Sequence, residues 1–190
     1  MALELVARFR DARLAKRIAA KLAELAPGEP VRFCHVCGTH EWTISHYGIR
    51  SLLPENVEVV AGPGCPVCIV PASEIDAAVA LALDGVVVAT FGDMFRAPGT
   101  RLSLHQARAE GADVRVVYSV SDAVKMAREE PDKEFVFFAI GFETTAPSTA
   151  VEALRRPPEN LSFLVAHRLI PPAMEALARM EDLAIRGFIA

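Results

Sequence analysis

The run Phe135-Val-Phe-Phe-Ala-Ile-Gly-Phe142 is the longest apolar stretch of this 190-residue chain. It is continuously apolar rather than alternating, which is typical of a parallel strand covered by helices on both faces. It is also far too short to cross a membrane, since a spanning helix needs about 18 or more apolar residues. The run therefore predicts a buried strand of an α/β protein.

Similar short apolar runs recur along the chain and alternate with stretches of helical periodicity. The predicted strands are 31–36, 57–61, 86–90, 114–118, 135–140, 161–166 and 187 onward. The predicted helices are 3–25, 41–53, 73–83, 102–110, 121–128, 144–154 and 172–184. Strands joined by single helices indicate βαβ units. We therefore predict a three-layer α/β/α fold with mostly parallel sheets.

The predicted domain organisation is one complete α/β domain and part of a second, similar one. The first domain would cover residues 1–119, and the second, incomplete one would cover 120–190. The sequence stops at Ala190 inside a strand that has only begun, which favours a piece of a longer protein.

Composition narrows the range of functions. Hydrophobic residues make up 52% of the chain, enough for a packed core, and the net charge is −4. A nucleic-acid binder needs a basic excess, so that class is disfavoured. The N-terminus does not resemble a signal peptide, and the sequence predicts neither a membrane association nor export. We expect a cytoplasmic protein, in which four cysteines serve metal or redox chemistry rather than structural disulfides.

Four unusual segments follow predicted strands, where ligands bind in open α/β sheets. We therefore expect their loops to converge on one site. The segments are Cys37-Gly-Thr-His40, Gly62-Pro-Gly-Cys-Pro-Val-Cys68, Thr90-Phe-Gly-Asp-Met94 and Gly141-Phe-Glu-Thr-Thr145.

The pair Cys65 and Cys68 has the spacing of a redox dithiol, which can form a disulfide. The helix that begins near Pro71 would lower the pKa of both thiols through its dipole. Gly62 and Gly64 would let the backbone turn sharply and approach a ligand. A pair of buried structural cysteines is the alternative.

Cys37 and His40 could share one ligand, because a thiolate and an imidazole together suit iron or zinc. His40 could instead activate Cys37 as a base or simply hydrogen-bond in its loop. A four-cysteine zinc site that adds Cys34 is a further reading. We expect Cys34 to be a small buried hydrophobe, because it falls inside a strand.

The triplet Glu143-Thr144-Thr145 opens a predicted helix. Its hydroxyls and carboxylate could cap the free amides of that helix, which would explain the composition without a functional role. A place in the wall of a binding cleft is the functional interpretation.

These segments, together with Gly48-Ile-Arg-Ser-Leu-Leu-Pro54, resemble the HypD family of hydrogenase maturation factors over nearly the whole chain. The resemblance implies a scaffold on which iron acquires two cyanides and one carbonyl, Fe(CN)2CO, for nickel–iron hydrogenases. It implies a small HypC-type partner and a HypE-type cyanide donor.

Residue by residue, the resemblance implies that Cys37 and His40 bind iron. It implies that Cys65 and Cys68 form the redox dithiol, and that Glu143, Thr144 and Thr145 line the cleft. The full-length family also carries a [4Fe-4S] cluster on further cysteines, which this chain lacks. A scaffold with redox thiols is therefore expected, rather than a turnover enzyme. The alternatives are a thiol–disulfide oxidoreductase and a zinc-stabilised interaction module.

Overall fold

The computed structural model describes residues 10–190, which divide into two compact units. Unit 1 contains the described residues up to Gly64 together with Pro171–Ala190, and unit 2 contains Cys65–Ile170. Each unit is built on its own parallel sheet, so the predicted α/β class is confirmed.

All seven predicted strands are present. The strands are β1 (Val31–His35), β2 (Val57–Ala61), β3 (Val87–Thr90), β4 (Val114–Val116), β5 (Phe135–Gly141), β6 (Leu161–His167) and β7 (Ile185–Ile189). The helices are α1 (Ala12–Leu25), α2 (Gly38–His46), α3 (Ala72–Leu83), α4 (Leu104–Ala109), α5 (Val120–Glu129), α6 (Ala146–Leu154) and α7 (Ile170–Ala178). Short 3-10 turns cover Ile49–Leu52, Met94–Arg96 and Glu181–Leu183. The part of the first predicted helix that covers residues 3–9 lies outside the described residues.

The sheet of unit 2 has the order β4-β3-β5-β6, with every pair parallel. All seven residues of β5 are buried, as its continuous apolar run predicts. Phe135, Phe137 and Ala139 pack on one face with apolar residues of α5. Phe138 and Ile140 pack on the other face with residues of α3 and α4. Unit 2 is therefore a three-layer α/β/α sandwich with β5 in its middle layer.

The sheet of unit 1 has the order β2-β1-β7 and is also parallel. Cys34 lies beside Val60 of β2 and Phe188 of β7, at the centre of the sheet. Cys34 and His35 are the two residues that reach full burial in the described part of this unit. A buried imidazole such as that of His35 requires a polar partner, and Glu41 supplies one.

The observed division of the chain differs from the predicted boundary after residue 119. Strand β3 pairs both with β4 before that position and with β5 after it, so one sheet crosses the boundary. The last strand, β7, returns to pair with β1. Such long-range pairing leaves no local composition signal, because the linking segments are ordinary βαβ connections.

The predicted helix over residues 41–53 is interrupted in the structure. Helix α2 ends at His46, and Gly48 adopts a left-handed conformation with φ of 61° before the turn Ile49–Leu52 begins. Glycine takes this conformation at little energetic expense, so it ends the helix there. None of the helices among residues 10–190 is both long and apolar enough to cross a membrane.

Asn160 fastens the loop that precedes β6 onto unit 2. Its side-chain amide donates hydrogen bonds to the carbonyls of Ala127, Glu130 and Lys133, at 3.0, 3.1 and 2.8 Å. We expect Asn160→Asp to lower the free energy of unfolding by about 1–2 kcal/mol, because a carboxylate has no donor for three carbonyls. Urea denaturation measures this free energy of unfolding.

Ser162→Ala, at an exposed neighbouring position, is the control and should change the free energy of unfolding by less than about 0.5 kcal/mol. Equal stabilities of the two variants would contradict the assignment.

Candidate functional site

The predicted metal segment lies at the carboxyl edge of the unit 1 sheet. Cys37 is the residue before α2, and His40 lies in the first turn of that helix. Strands β1 and β2 are parallel neighbours, so the loops that follow them meet at the same edge. The amide of Gly38 donates to the carbonyl of Gly64 at 2.8 Å, which joins the two loops directly. Two of the four segments that were expected to converge, those that follow β1 and β2, therefore meet within unit 1.

Gly64 touches the backbone of the Cys37 segment. A Cβ atom added to Gly64 would lie 2.2 Å from the Cys37 amide nitrogen and 2.5 Å from the Val36 carbonyl carbon. Gly62 is similarly close to the Cys34 sulfur, which a Cβ atom would approach to 2.5 Å. Both glycines therefore allow two loops of the chain to pack closely. The sequence had suggested that they approach a ligand.

The pKa of the Cys37 thiol is lowered. The backbone N–H of His40 is the largest cause, and Thr39 adds to it through its amide and hydroxyl, while desolvation opposes both. Cys37 makes no geometrically complete capping hydrogen bond within the described chain, so these groups act on the sulfur mainly as nearby dipoles. A thiolate at this position is a soft metal ligand and a nucleophile.

His40 contributes an imidazole three residues after that thiol. Its Nδ1 atom is buried and has no hydrogen-bond partner in the part of the chain that the structure describes. An unpartnered ring nitrogen in a protected position is suited to coordinate a metal ion. Cys37 and His40 therefore offer one sulfur and one nitrogen donor at the N-terminal end of α2.

Helix α2 is held by a polar network that no local sequence pattern predicts. Glu41 accepts two hydrogen bonds from the Arg50 guanidinium, at 2.9 and 2.7 Å, one from Ser45 at 2.8 Å, and contacts His35 Nε2 at 2.8 Å. These donors, with Arg50 first, lower the pKa of Glu41. Arg50 also donates to the carbonyl of Val59 in β2 at 3.1 Å. Arg50 lies in the segment 48–54, one of the motifs that carry the family resemblance, and this position was the sequence feature that could have indicated its role.

Cys34 behaves as the sequence predicts. It is 2% exposed in the middle of β1, and burial raises the pKa of its thiol. A neutral buried thiol is a poor metal ligand. Among residues 10–190, no three His, Cys, Asp or Glu side chains lie close enough together to hold a metal ion. The four-cysteine zinc site therefore has no support in the described structure.

The second pair of cysteines belongs to unit 2 and lies in the turn before α3. The sulfur of Cys65 accepts a hydrogen bond from the Cys68 amide at 3.3 Å. The pKa of the Cys68 thiol is raised, first by its hydrogen bond to Cys65, then by desolvation and by the charges of Cys65 and Asp93. The prediction that the α3 dipole lowers both pKa values is therefore wrong for Cys68. Helix α3 begins only at Ala72, so its amides are too distant to outweigh the neighbouring sulfur.

All four cysteines are free thiols in the described structure. The Cys68 amide and the Cys65 sulfur are in contact through the hydrogen bond between them. Whether the pair closes to a disulfide stays a prediction.

The triplet Glu143-Thr144-Thr145 forms the turn between β5 and α6. Thr145 precedes α6 but makes no side-chain capping bond in the described structure, contrary to the capping interpretation. Its hydroxyl instead contacts the carbonyl of Phe142 at 3.5 Å. Glu143 accepts a hydrogen bond from the Ile170 amide at 2.9 Å, so it caps the start of α7 rather than α6. Thr144 is exposed.

The last residue of β6, His167, and the residue after it, Arg168, stabilise the carboxyl edge of unit 2. His167 contacts the carbonyl of Gly141 at 3.3 Å and the hydroxyl of Thr149 at 3.1 Å. Arg168 donates to Glu74 of α3 at 2.6 Å. These contacts fix the turn that carries the triplet and the helix that follows the dithiol.

Thiol reactivity gives a pH test of these environments in the metal-free protein. A lowered pKa means more thiolate at a given pH, so Cys37 should reach half of its maximal alkylation rate below about pH 9, the ordinary value. Cys68 should reach it above that pH. Iodoacetamide labelling across pH, with each site quantified by peptide mass spectrometry, measures both. A midpoint for Cys37 at or above that of Cys68 would contradict the two assignments.

The fold and these loops define an α/β protein with thiols placed at the carboxyl ends of its parallel strands. The chain belongs to the HypD family, described as the hydrogenase formation hypA family, which matches residues 13–190.

Several relatives carry names from hydrogenase biosynthesis. A protein of Methanocaldococcus jannaschii named for hydrogenase expression and formation is 52% identical over 95% of this chain and 51% of its own length. The hydrogenase maturation factor HypD of Cupriavidus necator is 48% identical over 95% of the chain and 49% of its own length. The HypD of Escherichia coli is 46% identical over 85% of the chain and 44% of its own length. The chain thus spans about half the length of these relatives.

Proposed function

We propose that this chain acts in hydrogenase maturation as a scaffold on which an iron ion is held while cyanide and carbonyl ligands are added. The observation that carries the proposal is the placement of Cys37 and His40 together at the N-terminal end of α2. The Cys37 thiol has a lowered pKa, and the His40 Nδ1 atom is buried and unpartnered among the described residues. Membership of the HypD family supports the same role.

Two protein donors suit an iron ion that is cargo rather than a resident cofactor. A closed structural metal site uses four protein ligands, which leaves no position for other molecules. One thiolate and one imidazole leave most coordination positions open to cyanide, carbonyl and a partner protein. A soft thiolate also matches low-spin iron with such ligands. The donor set therefore fits assembly of Fe(CN)2CO followed by its transfer.

The dithiol Cys65 and Cys68 is proposed as the redox-active pair of the scaffold. Closing two thiols to a disulfide releases two electrons and two protons. The reduced pair is supported by the hydrogen bond from the Cys68 amide to the Cys65 sulfur. Glu143, Thr144 and Thr145 are proposed to line a cleft on the carboxyl edge of unit 2, where β5 ends.

The proposal includes a HypC-type partner, a HypE-type cyanide donor and a cytoplasmic location. The proposed metal and redox roles of the cysteines support that location, because structural disulfides are rare in reducing compartments. The whole relatives are about twice as long as this chain, so partner binding by the chain alone is part of what must be tested.

Anaerobic metal analysis combined with thiol titration tests the proposal. The purified chain, incubated with Fe²⁺, should bind about one iron and protect one thiol, Cys37, from alkylation. Stoichiometric zinc that masks all four thiols would instead favour the interaction module and contradict the scaffold.

A thiol–disulfide oxidoreductase is the second candidate, and the contact between Cys65 and Cys68 favours it. This function would show turnover on a generic disulfide substrate, with Cys65→Ser removing the activity and Cys37→Ala leaving it intact. The scaffold proposal expects no such turnover above the rate of a free dithiol.

A further inference from the structure

The segment that carries Cys37 and His40 is closed at both ends by one side-chain contact. His35 is the last residue of β1, two positions before Cys37, and Glu41 directly follows His40. The Nε2 atom of His35 contacts a carboxylate oxygen of Glu41 at 2.8 Å. The residues between these two anchors, which end β1 and begin α2, therefore form a short segment whose ends are fixed to each other.

The His35 anchor is rigid because its ring is buried. The His35 side chain is 2% exposed, so its ring has little room to rotate between conformers. The contact that fixes it is the one to Glu41, since its Nδ1 atom has no partner among residues 10–190. Because a carboxylate oxygen only accepts, Nε2 of His35 is the donor of this hydrogen bond. One end of the loop is thus locked by burial and by a hydrogen bond.

The Glu41 anchor is rigid because its carboxylate is saturated. Each of its oxygens receives two contacts, from the Arg50 fork, Ser45 and His35. Paired N–H donors of a guanidinium fix both the distance and the plane of a carboxylate. Arg50 in turn donates to the Val59 carbonyl, which ties the anchor to β2. We call the contacts among His35, Glu41 and Arg50 the clamp. The clamp connects β1, α2, the turn Ile49–Leu52 and β2.

We propose that Glu41 and Arg50, acting through His35, are positioning residues that pre-organise Cys37 and His40 for metal binding. The inference rests on the proposed function, because it assumes that these two side chains are the metal donors. A two-donor site depends strongly on such support, since it lacks further protein ligands to fix its geometry. Groups outside the coordination sphere commonly change metal affinity by about 10–100-fold. Neither Glu41 nor Arg50 needs to touch the metal.

Co²⁺ titration of the anaerobic chain tests this, since thiolate coordination to Co²⁺ gives a charge-transfer absorption band. We expect Glu41→Gln to weaken Co²⁺ binding by about 10–100-fold. The band should return at saturating Co²⁺, because Cys37 itself is intact. Arg50→Lys keeps the charge but loses the paired donors, and its affinity should fall between those of the wild type and Glu41→Gln.

Glu58→Gln is the matched control. It removes the carboxylate of another arginine pair of unit 1, Arg32 with Glu58 at 2.7 Å, which does not contact the Cys37 loop. Its Co²⁺ affinity should stay within about threefold of the wild type, as expected for an exposed pair. Thermal melts establish that each variant is folded. Should Glu41→Gln fail to fold, Arg50→Lys decides the question.

The outcomes separate this inference from the proposed function. An unchanged affinity in folded Glu41→Gln or Arg50→Lys, with the band abolished by Cys37→Ala, would overturn the positioning role and leave the metal assignment intact. An equal loss of affinity in Glu58→Gln would overturn the positioning role as well, because the effect would then be general. A band that survives Cys37→Ala would overturn both.

Discussion

Replacing Cys37 with alanine is expected to abolish metal binding by this chain. The substitution removes the only sulfur donor that the proposal assigns to iron, so affinity should fall by more than the about 100-fold that supporting residues contribute at most. Fold stability should change little, because Cys37 is half-buried and lies at a helix end rather than in the core. Equilibrium dialysis against Fe²⁺ under anaerobic conditions measures the effect directly.

Cys34→Ala provides the matched control for that variant. Cys34 lies three residues earlier, but its thiol is buried in β1 with a raised pKa. Its replacement should leave one iron bound per chain and should lower the free energy of unfolding instead, because it empties part of the space beside Gly62. If Cys34→Ala lost iron and Cys37→Ala retained it, the assignment of the donor would be reversed.

Gly64→Ala is expected to lower the free energy of unfolding by about 3 kcal/mol, at the upper end of what overpacking causes. The new Cβ atom would lie 2.2, 2.5 and 2.6 Å from three backbone atoms of Val36 and Cys37. Backbone atoms cannot rotate away as a flexible side chain can, so the two loops must separate. The hydrogen bond from the Gly38 amide to the Gly64 carbonyl would then be lost. Denaturant titration measures the loss of stability.

The same variant should weaken iron binding, since the displaced segment carries both proposed donors. Gly28→Ala is the control, because no atom lies within 4 Å of the position its Cβ would take. That variant should match the wild type in iron affinity and within about 0.5 kcal/mol in stability. A folded Gly64→Ala protein with unchanged stability would show that the two loops are not packed as described.

Much of the fold could be predicted from the sequence because the strands coincide with continuous apolar runs. Each residue of β5 is buried, and alternate residues pack on opposite faces of the sheet. Because both faces are covered, the strand is apolar at every position and does not alternate with polar residues. The predicted ends of helices and strands were less accurate where a single glycine determines the end. Gly48 ends a helix that its flanking residues would continue.

The division into units could not be predicted because it depends on strand order. The return of β7 to β1 is a contact between residues about 150 positions apart, and no local pattern encodes it. The sequence placed the thiols at strand ends and Cys34 in a strand, which the structure bears out. It did not reveal the clamp, because His35, Glu41 and Arg50 are common residues whose meaning appears only when their side chains meet.

The most direct test of the account is infrared spectroscopy of the iron-loaded chain. The chain would be purified anaerobically with a HypC-type partner, supplied with Fe²⁺ and a HypE-type cyanide donor, and compared with its Cys37→Ala variant. The account predicts iron-bound cyanide bands that shift with ¹³C-labelled cyanide in the wild type and are absent in the variant. Identical bands in both proteins, or a wild type that binds iron but shows no cyanide band, would contradict the claim that Cys37 holds the iron during assembly.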